Sequence, residues 1–340
     1  MDTAVVLGVV GVLGTLAGAL GGTALGYVLQ RRRDKRRYRL ESFKAALRYA
    51  TTSHPLRGID VAGLNLAFID LRGADLVDAD CRGTFLYSAR LDNAKLMFAQ
   101  MDKAYLRTAS LANACLPSTC LRGAELNHCD LTKADLTDAN LGWATLQFAV
   151  LDDAVGEGLY LRGADLRESL LRRANLDDAD MQTSKACDAQ MSDASLARAD
   201  LRHSDMRRVN LLRANMLDAK MDFADLTDAI LEGATLTRAT LRGATLRRAD
   251  LSRALMIDAD LTRAHLENAT LRSTNLSTTN LQGAHLAGAV LDDVTQMPDG
   301  WDRVVASRPE DKPAPANPAC TARFRDLFSR MGKKLSRAPD

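Results

Sequence analysis

The chain has 340 residues, 46% of them apolar but only 5% aromatic, with a formal net charge of +2. That apolar content excludes a disordered chain, and the aromatic shortage argues against an ordinary globular core. The charge is uneven: residues 1–55 carry 9 basic and 3 acidic groups, 56–291 carry 27 and 32, and 292–340 carry 9 and 8, which excludes both a basic nucleic-acid groove and a strongly acidic rod.

Residues 1–30 are expected to form a transmembrane helix. Ala4 to Leu29 is uncharged and largely apolar, 26 residues where roughly 20 suffice to span a bilayer. The basic run Arg31-Arg32-Arg33-Asp34-Lys35-Arg36-Arg37 follows at once, so the positive-inside rule puts the N-terminus outside and the rest in the cytoplasm. The expected location is therefore the cell membrane, single-pass. Gly14, Gly18, Gly22 and Gly26 fall on one helix face and suit close helix packing, in a homo-oligomer or against a membrane partner. The plainer alternative is that Gly is common in membrane helices.

Residues 31–55 read as a basic juxtamembrane segment and capping helix. Leu40, Phe43, Leu47 and Ala50 share one side, suited to covering an open solenoid end.

From Leu56 to Leu291 the chain repeats every five residues without a slip. Of the 48 positions numbered in 1 or 6, 37 are Leu. Two residues earlier stands Ala in 34 of 47 positions, and Asp or Asn often lies between, as in Ala74-Asp75-Leu76, Ala134-Asp135-Leu136 and Ala174-Asn175-Leu176. A period of five fits neither an α-helix nor a strand. The A(D/N)LXX pattern resembles the pentapeptide-repeat family. That resemblance implies an all-β solenoid, a right-handed quadrilateral β-helix with four repeats per coil, here about twelve coils and roughly 58 Å long at the ladder spacing. Leu and Ala would point inward and the other three residues outward.

Four repeats per coil place residues twenty apart in register. Three columns then alternate in sign: Lys133, Asp153, Arg173, Asp193, Arg213; Asp178, Arg198, Asp218, Arg238, Asp258; and Asp188, Arg208, Asp228, Arg248. Bulk alternates in Gly123, Trp143, Gly163. Such complementarity between stacked neighbours supports the square coil independently of the resemblance.

Two stretches depart from the motif. Gly156 replaces a core Leu and Leu159 the following Ala, which suggests compensation and a loop at Val155 to Gly158. Between Met181 and Met221 the core is rich in Met, a gap filler, and looser packing is expected. Ile59, Leu64 and Ile69 widen the first layer where it meets the helical cap.

Outward apolar residues give the candidate partner surface: Val77, Met97, Phe98 and Pro117 on one face, with Phe85 and Tyr105 stacked at an adjoining corner. Val150 and Leu170 make a smaller strip. The alternative is that flanking side chains or the N-terminal helix cover them.

The repeats close in a C-terminal cap over 292–308, where Pro298-Asp299-Gly300-Trp301 is similar to the ending of some family members. A Pro-rich linker follows over 309–318. Residues 319–340 read as a basic amphipathic tail helix, with Phe324, Leu327, Phe328 and Met331 on one face and Lys333 and Lys334 beside it. The tail suits a membrane surface, with docking on the solenoid end as the alternative.

No catalytic, metal or cofactor site is expected. The sequence has no glycine-rich phosphate loop, CxxC pair or HExxH, and of five histidines only His265 and His285 are twenty apart, without a carboxylate column beside them. Cys81 and Cys129 fall inward, and Cys115, Cys120 and Cys187 outward, all expected as free thiols. The leading expectation is a membrane-tethered, non-enzymatic scaffold for partner proteins. Its rival is a DNA mimic acting on a type II topoisomerase, as the resemblance to quinolone-resistance factors implies. Mimicry needs unpaired acidic surface, and the patch of Asp60, Asp70, Asp75, Asp78 and Asp80 is shared with Arg57 and Arg72.

Overall fold

The computed structural model describes Asp34, Arg37, Leu40, Glu41 and Phe43 and then residues 56–299. The expected transmembrane segment with its four glycines, the expected Pro-rich linker and the expected amphipathic tail all lie outside the described residues. Among the described residues no helix is long and apolar enough to cross a membrane.

One repeat accounts for the whole solenoid, because each of its five backbone amides finds an acceptor. In Ala134-Asp135-Leu136-Thr137-Asp138, Ala134 N donates to Leu131 O across the turn before it (3.0 Å). Asp135 N reaches back one coil to Ala114 O (2.9 Å), while Leu136 N and Asp138 N reach forward to Val155 O and Glu157 O (2.6 and 2.9 Å). Thr137 N, inside the turn, has no backbone acceptor and donates instead to Asp135 Oδ1 (3.1 Å). This Asx-turn is why the motif carries Asp or Asn before Leu. The same bond recurs from Ala62 to Asp60, Gly142 to Asn140 and Asp177 to Asn175.

The corner is a four-residue turn whose third residue sits in the left-handed region. From Gly58 to Gly288 every such position except Thr278 has a φ between 52° and 70°. Non-glycine residues adopt that conformation at a cost of about 1–2 kcal/mol, and here the interlocked ladder holds them in it.

Parallel bridges join residues twenty apart in four ladders, beginning at Asp60↔Asp80 (ladder 1), Asn65↔Phe85 (ladder 2), Asp70↔Arg90 (ladder 3) and Asp75↔Lys95 (ladder 4). They run without a break to Thr270↔Val290, and the last bridge, Asn275↔Gln296, spans one residue more. The expected twenty-residue stacking is therefore observed. Leu and Ala fill the bore, with Leu96 through Leu141 each at 0–1% exposure. Where Thr or Cys replaces Ala the polar atom is satisfied: Thr84 Oγ1, Thr119 Oγ1 and Cys129 Sγ donate to the carbonyls of Val61, Leu96 and Leu106 one coil earlier.

Two expectations need correction. No loop forms at Val155 to Gly158: Val155 bridges Asn175, and Gly158 N keeps its bond to Asp177 O. Leu159 fills the vacancy itself, since a Cβ on Gly156 would meet Leu159 Cδ2 at 3.0 Å and Leu176 Cδ2 at 3.2 Å. The Met-rich stretch is also as buried as the rest, with Met181, Met191, Met206, Met216 and Met221 all at 0% exposure. Unbranched Met adapts to the bore without opening it.

Both ends are covered. The described residues between Asp34 and Phe43 are helical, and Phe43 is buried (1%) against the first coils, with Leu40 beside it. At the far end Asp292 accepts from Ser273 N (2.8 Å) and Thr295 Oγ1 donates to Leu271 O (2.8 Å), while Met297 packs on the core.

Candidate functional site

The corners and ladder residues of the early coils carry a partly exposed aromatic surface. Phe85 and Tyr105 are bridged neighbours on ladder 2, and their rings stack with centroids 4.6 Å apart and planes 4° from parallel. Tyr87, absent from the expected site, joins them at 5.9 Å from Tyr105 and 6.2 Å from Phe85. At the corner between ladders 4 and 1, Phe98 is half exposed, and Met97 and Pro117 are partly buried. Val77 does not belong to the surface: it is buried at 8%. It occupies the second turn position, where side chains lie along the ladder; Asp152, Cys187 and Ala197 are buried there for the same reason. Cys187 is thereby corrected too, from an outward to a buried thiol.

The residues that stand furthest out are at the third turn position. Phe68, Phe98, Trp143, Phe148 and Phe223 are exposed there. The left-handed φ of that residue turns its side chain off the corner, which the five-residue period by itself does not reveal. This surface is not fully apolar, however, because Lys103 and Arg122 lie beside Trp143 and Arg107 lies near Tyr87.

The charge columns pair as expected. Arg173, Arg198, Arg208 and Arg213 bind Asp153, Asp178, Asp188 and Asp193 of the preceding coil at 2.6 to 2.7 Å, and Arg238 and Arg248 bind Asp218 and Asp228 likewise. The side-chain hydrogen bond from Arg173 holds the Asp153 carboxyl below its usual range, and Arg198 does the same for Asp178. A second set was missed: Asp and Arg two residues apart within one turn, as in Asp165–Arg167, Asp200–Arg202 and Asp205–Arg207. The N-terminal acidic patch is paired as well, Asp75 with Arg57, Asp70 with Arg72 and Arg90, and Asp80 with Arg82.

Among the described residues no group of three or more His, Cys, Asp or Glu is arranged to hold a metal ion. His265 and His285 stack at 4.9 Å, but a carboxylate does stand beside them, since Glu267 Oε1 lies 3.3 Å from His265 Nδ1. Burial pushes the Cys81 and Cys129 thiols up to about 12, which makes them inert packing groups.

Among the described residues, a closed polar ladder around an apolar bore defines a four-sided β-solenoid. The chain belongs to the pentapeptide-repeat family: the Pentapeptide repeats model matches residues 56–93, 89–127, 121–153, 157–186, 189–228, 219–256 and 259–295. Membership carries the right-handed quadrilateral β-helix.

Among solved structures, the chain is similar to Rfr23, a pentapeptide repeat protein from the cyanobacterium Cyanothece 51142, at 36% identity over 27% of this chain and 63% of that one (TM-score 0.27). It thus spans less than two thirds of that relative. It is also similar to HetL from the cyanobacterium Nostoc sp. strain PCC 7120, a pentapeptide repeat protein involved in heterocyst differentiation regulation, at 30% identity over 75% and 96% (TM-score 0.25). Full-length QnrB1, a plasmid-mediated fluoroquinolone resistance protein, matches at 14% identity over 72% and 97% (TM-score 0.25). At such TM-scores the superpositions carry no argument, and the coil geometry rests on the ladders above. Among curated proteins none matches this chain.

Proposed function

We propose that this protein is a membrane-tethered, non-enzymatic scaffold whose rigid solenoid, about twelve coils long, binds partner proteins in the cytoplasm. The tether is the uncharged stretch Ala4 to Leu29 with its following basic run, oriented by the positive-inside rule. Gly14, Gly18, Gly22 and Gly26 supply a packing face for a second membrane helix, and Phe324, Leu327, Phe328, Met331, Lys333 and Lys334 supply a second contact with anionic lipid. The observation that carries partner binding is the partly exposed aromatic cluster of Phe85, Tyr87 and Tyr105, with the half-exposed Phe98 around the corner. Exposed contiguous apolar surface marks protein contacts.

The test combines fractionation with capture. The intact chain should stay in the membrane pellet after alkaline extraction, and a chain lacking residues 1–33 should move to the supernatant. Tyr105→Asp with Phe98→Asp should remove captured partners while leaving the melting temperature near wild type. Release of the intact chain by alkali would refute the tether, and unchanged capture would refute the surface. The DNA-mimic reading has less support, because Asp70, Asp75 and Asp80 are each ion-paired to arginine. Stoichiometric inhibition of gyrase supercoiling by the chain would reverse that ranking.

A further inference from the structure

Five exposed aromatic residues, Phe68, Phe98, Trp143, Phe148 and Phe223, sit at third turn positions, and an imidazole of the preceding coil covers two of them. His128 stacks on Phe148 at 4.9 Å and 4°, and His203 stacks on Phe223 at 5.2 Å and 7°. In both cases the covering imidazole comes from the preceding coil. Trp143 occupies the same column as Phe223, eighty residues earlier, and has Gly123 where Phe223 has His203.

The opposite side of each ring in this column is closed. A Cβ on Gly163 would lie 2.4 Å from Trp143 Cε3, and one on Gly243 would lie 2.8 Å from Phe223 Cε1, so each ring rests on the backbone of the coil after it. Gly123 is different. A Cβ there would meet only Lys103 Cγ, at 3.8 Å. Nothing in the packing requires glycine at that position, and its effect is to leave one face of the indole bare.

Along the ladder Lys103 and Trp143 are two rungs apart, roughly 9.6 Å. A planar ring between two layers needs about 3.5–4.0 Å on each side, so one ring fits. The space is an open cleft of about 540 Å³ lined by Asp102, Lys103, Arg122, Gly123 and Trp143. Among the described residues neither Lys103 nor Arg122 has a carboxylate within ion-pair distance, although the arginines of the later coils are almost all paired. With two cations against Asp102, the cleft favours an anionic partner.

We infer that the Gly123 notch is a binding site for a planar aromatic side chain carried on an acidic segment of a partner protein. The ring stacks on the bare face of Trp143, as His203 does on Phe223, and flanking carboxylates pair with Lys103 and Arg122. This rests on the reading of the rod as a protein-binding surface and adds the chemistry of the partner. A protein partner is favoured over a nucleotide because the site continues the protein-binding surface of the rod, and AMP in the test below separates the two.

The experiment uses the full chain in nanodiscs, with Trp301→Phe so that Trp143 alone reports fluorescence. The probe is the peptide acetyl-Glu-Asp-Phe-Asp-Glu-amide, with the Phe-to-Ala peptide and AMP as controls. The Phe peptide should quench Trp143, and both controls should bind at least tenfold more weakly. Gly123→His fills the notch with the ring found at His203. Many corners hold non-glycine residues at the same φ, so this variant folds, and it should weaken the peptide at least tenfold at unchanged melting temperature. Lys103→Glu should weaken it as well. Equal binding to wild type and Gly123→His, no binding to either, or tighter binding of AMP would overturn the site. Partners captured through Phe98 and Tyr105 but indifferent to Gly123→His would leave the scaffold reading standing and remove only this inference.

Discussion

Arg173 donates through Nε and a terminal nitrogen to the two carboxylate oxygens of Asp153, at 2.6 and 2.7 Å, across one coil of the solenoid. The pair is one link of a column rather than an isolated bridge, because Lys133 lies on the far side of Asp153 and Asp193 beyond Arg173. Exposed pairs contribute little singly, so Asp153→Ala should lower Tm by no more than about 2–4 °C. Exchanging the partners, Asp153→Arg with Arg173→Asp, should not restore stability. It sets like charges against Lys133 on one side and Asp193 on the other. Thermal melts of the two singles and the exchange decide this; full recovery would mean the pair acts alone.

The Asx-turn assigns a cost to losing the motif's Asp or Asn where the turn is buried. Gly142 is buried, and its N–H donates to Asn140 Oδ1 at 3.0 Å. Asn140→Ala leaves that donor without its partner and should cost about 1–3 kcal/mol. Asn140→Asp should cost much less. Urea denaturation midpoints at constant slope would measure both.

Leu159 and Gly156 form an exchangeable pair. Leu159→Ala empties a site at 0% exposure and should cost about 2–5 kcal/mol. Gly156→Leu alone overpacks against Leu159, at about 1–3 kcal/mol. Together the two substitutions restore the regular Leu and Ala of neighbouring repeats, and the double variant should approach wild type. Additive losses would show that this coil has a different bore.

The C-terminal closure should be acid-sensitive. Hydrogen bonds, first that from Ser273 N, hold the Asp292 carboxyl at about 2. A depressed folded-state pKa contributes stability that is complete above the ordinary carboxylate value of about 3.9 and is lost as pH falls through about 2. Amide exchange at Asn275 and Gln296 should therefore speed up between about pH 4 and 2 relative to mid-rod amides. In Asp292→Asn that added pH dependence should vanish.

The bore, the register and the charge columns were legible in the sequence because one arithmetic, five residues per side and twenty per coil, governs all of them. Lys133 to Arg213 could be aligned without any coordinates. What was not legible depends on position within the repeat. Val77 and Cys187 count as outward by phase, yet the second turn position lies flat along the ladder and is partly buried. Trp143 and Phe223 stand out because the third position is left-handed, and the five-residue period alone does not distinguish those two. The outward position of Asp and Asn follows from the phase, whereas the phase does not show that their carboxyl and amide oxygens complete the backbone's hydrogen bonding. At Gly156 the local break in pattern suggested a loop, but Leu159 repairs the bore from within.

Every surface assignment above depends on residues twenty apart being direct neighbours. Nitroxide labels at Lys133 and Asp153, placed by cysteine substitution in a chain otherwise free of cysteine, test that most directly. One rung of roughly 4.8 Å separates the two positions, so the pair should show strong spin exchange, while labels at Lys133 and Phe148 should show little. The reverse result, exchange at 133 with 148 and none at 133 with 153, would contradict the four-sided coil.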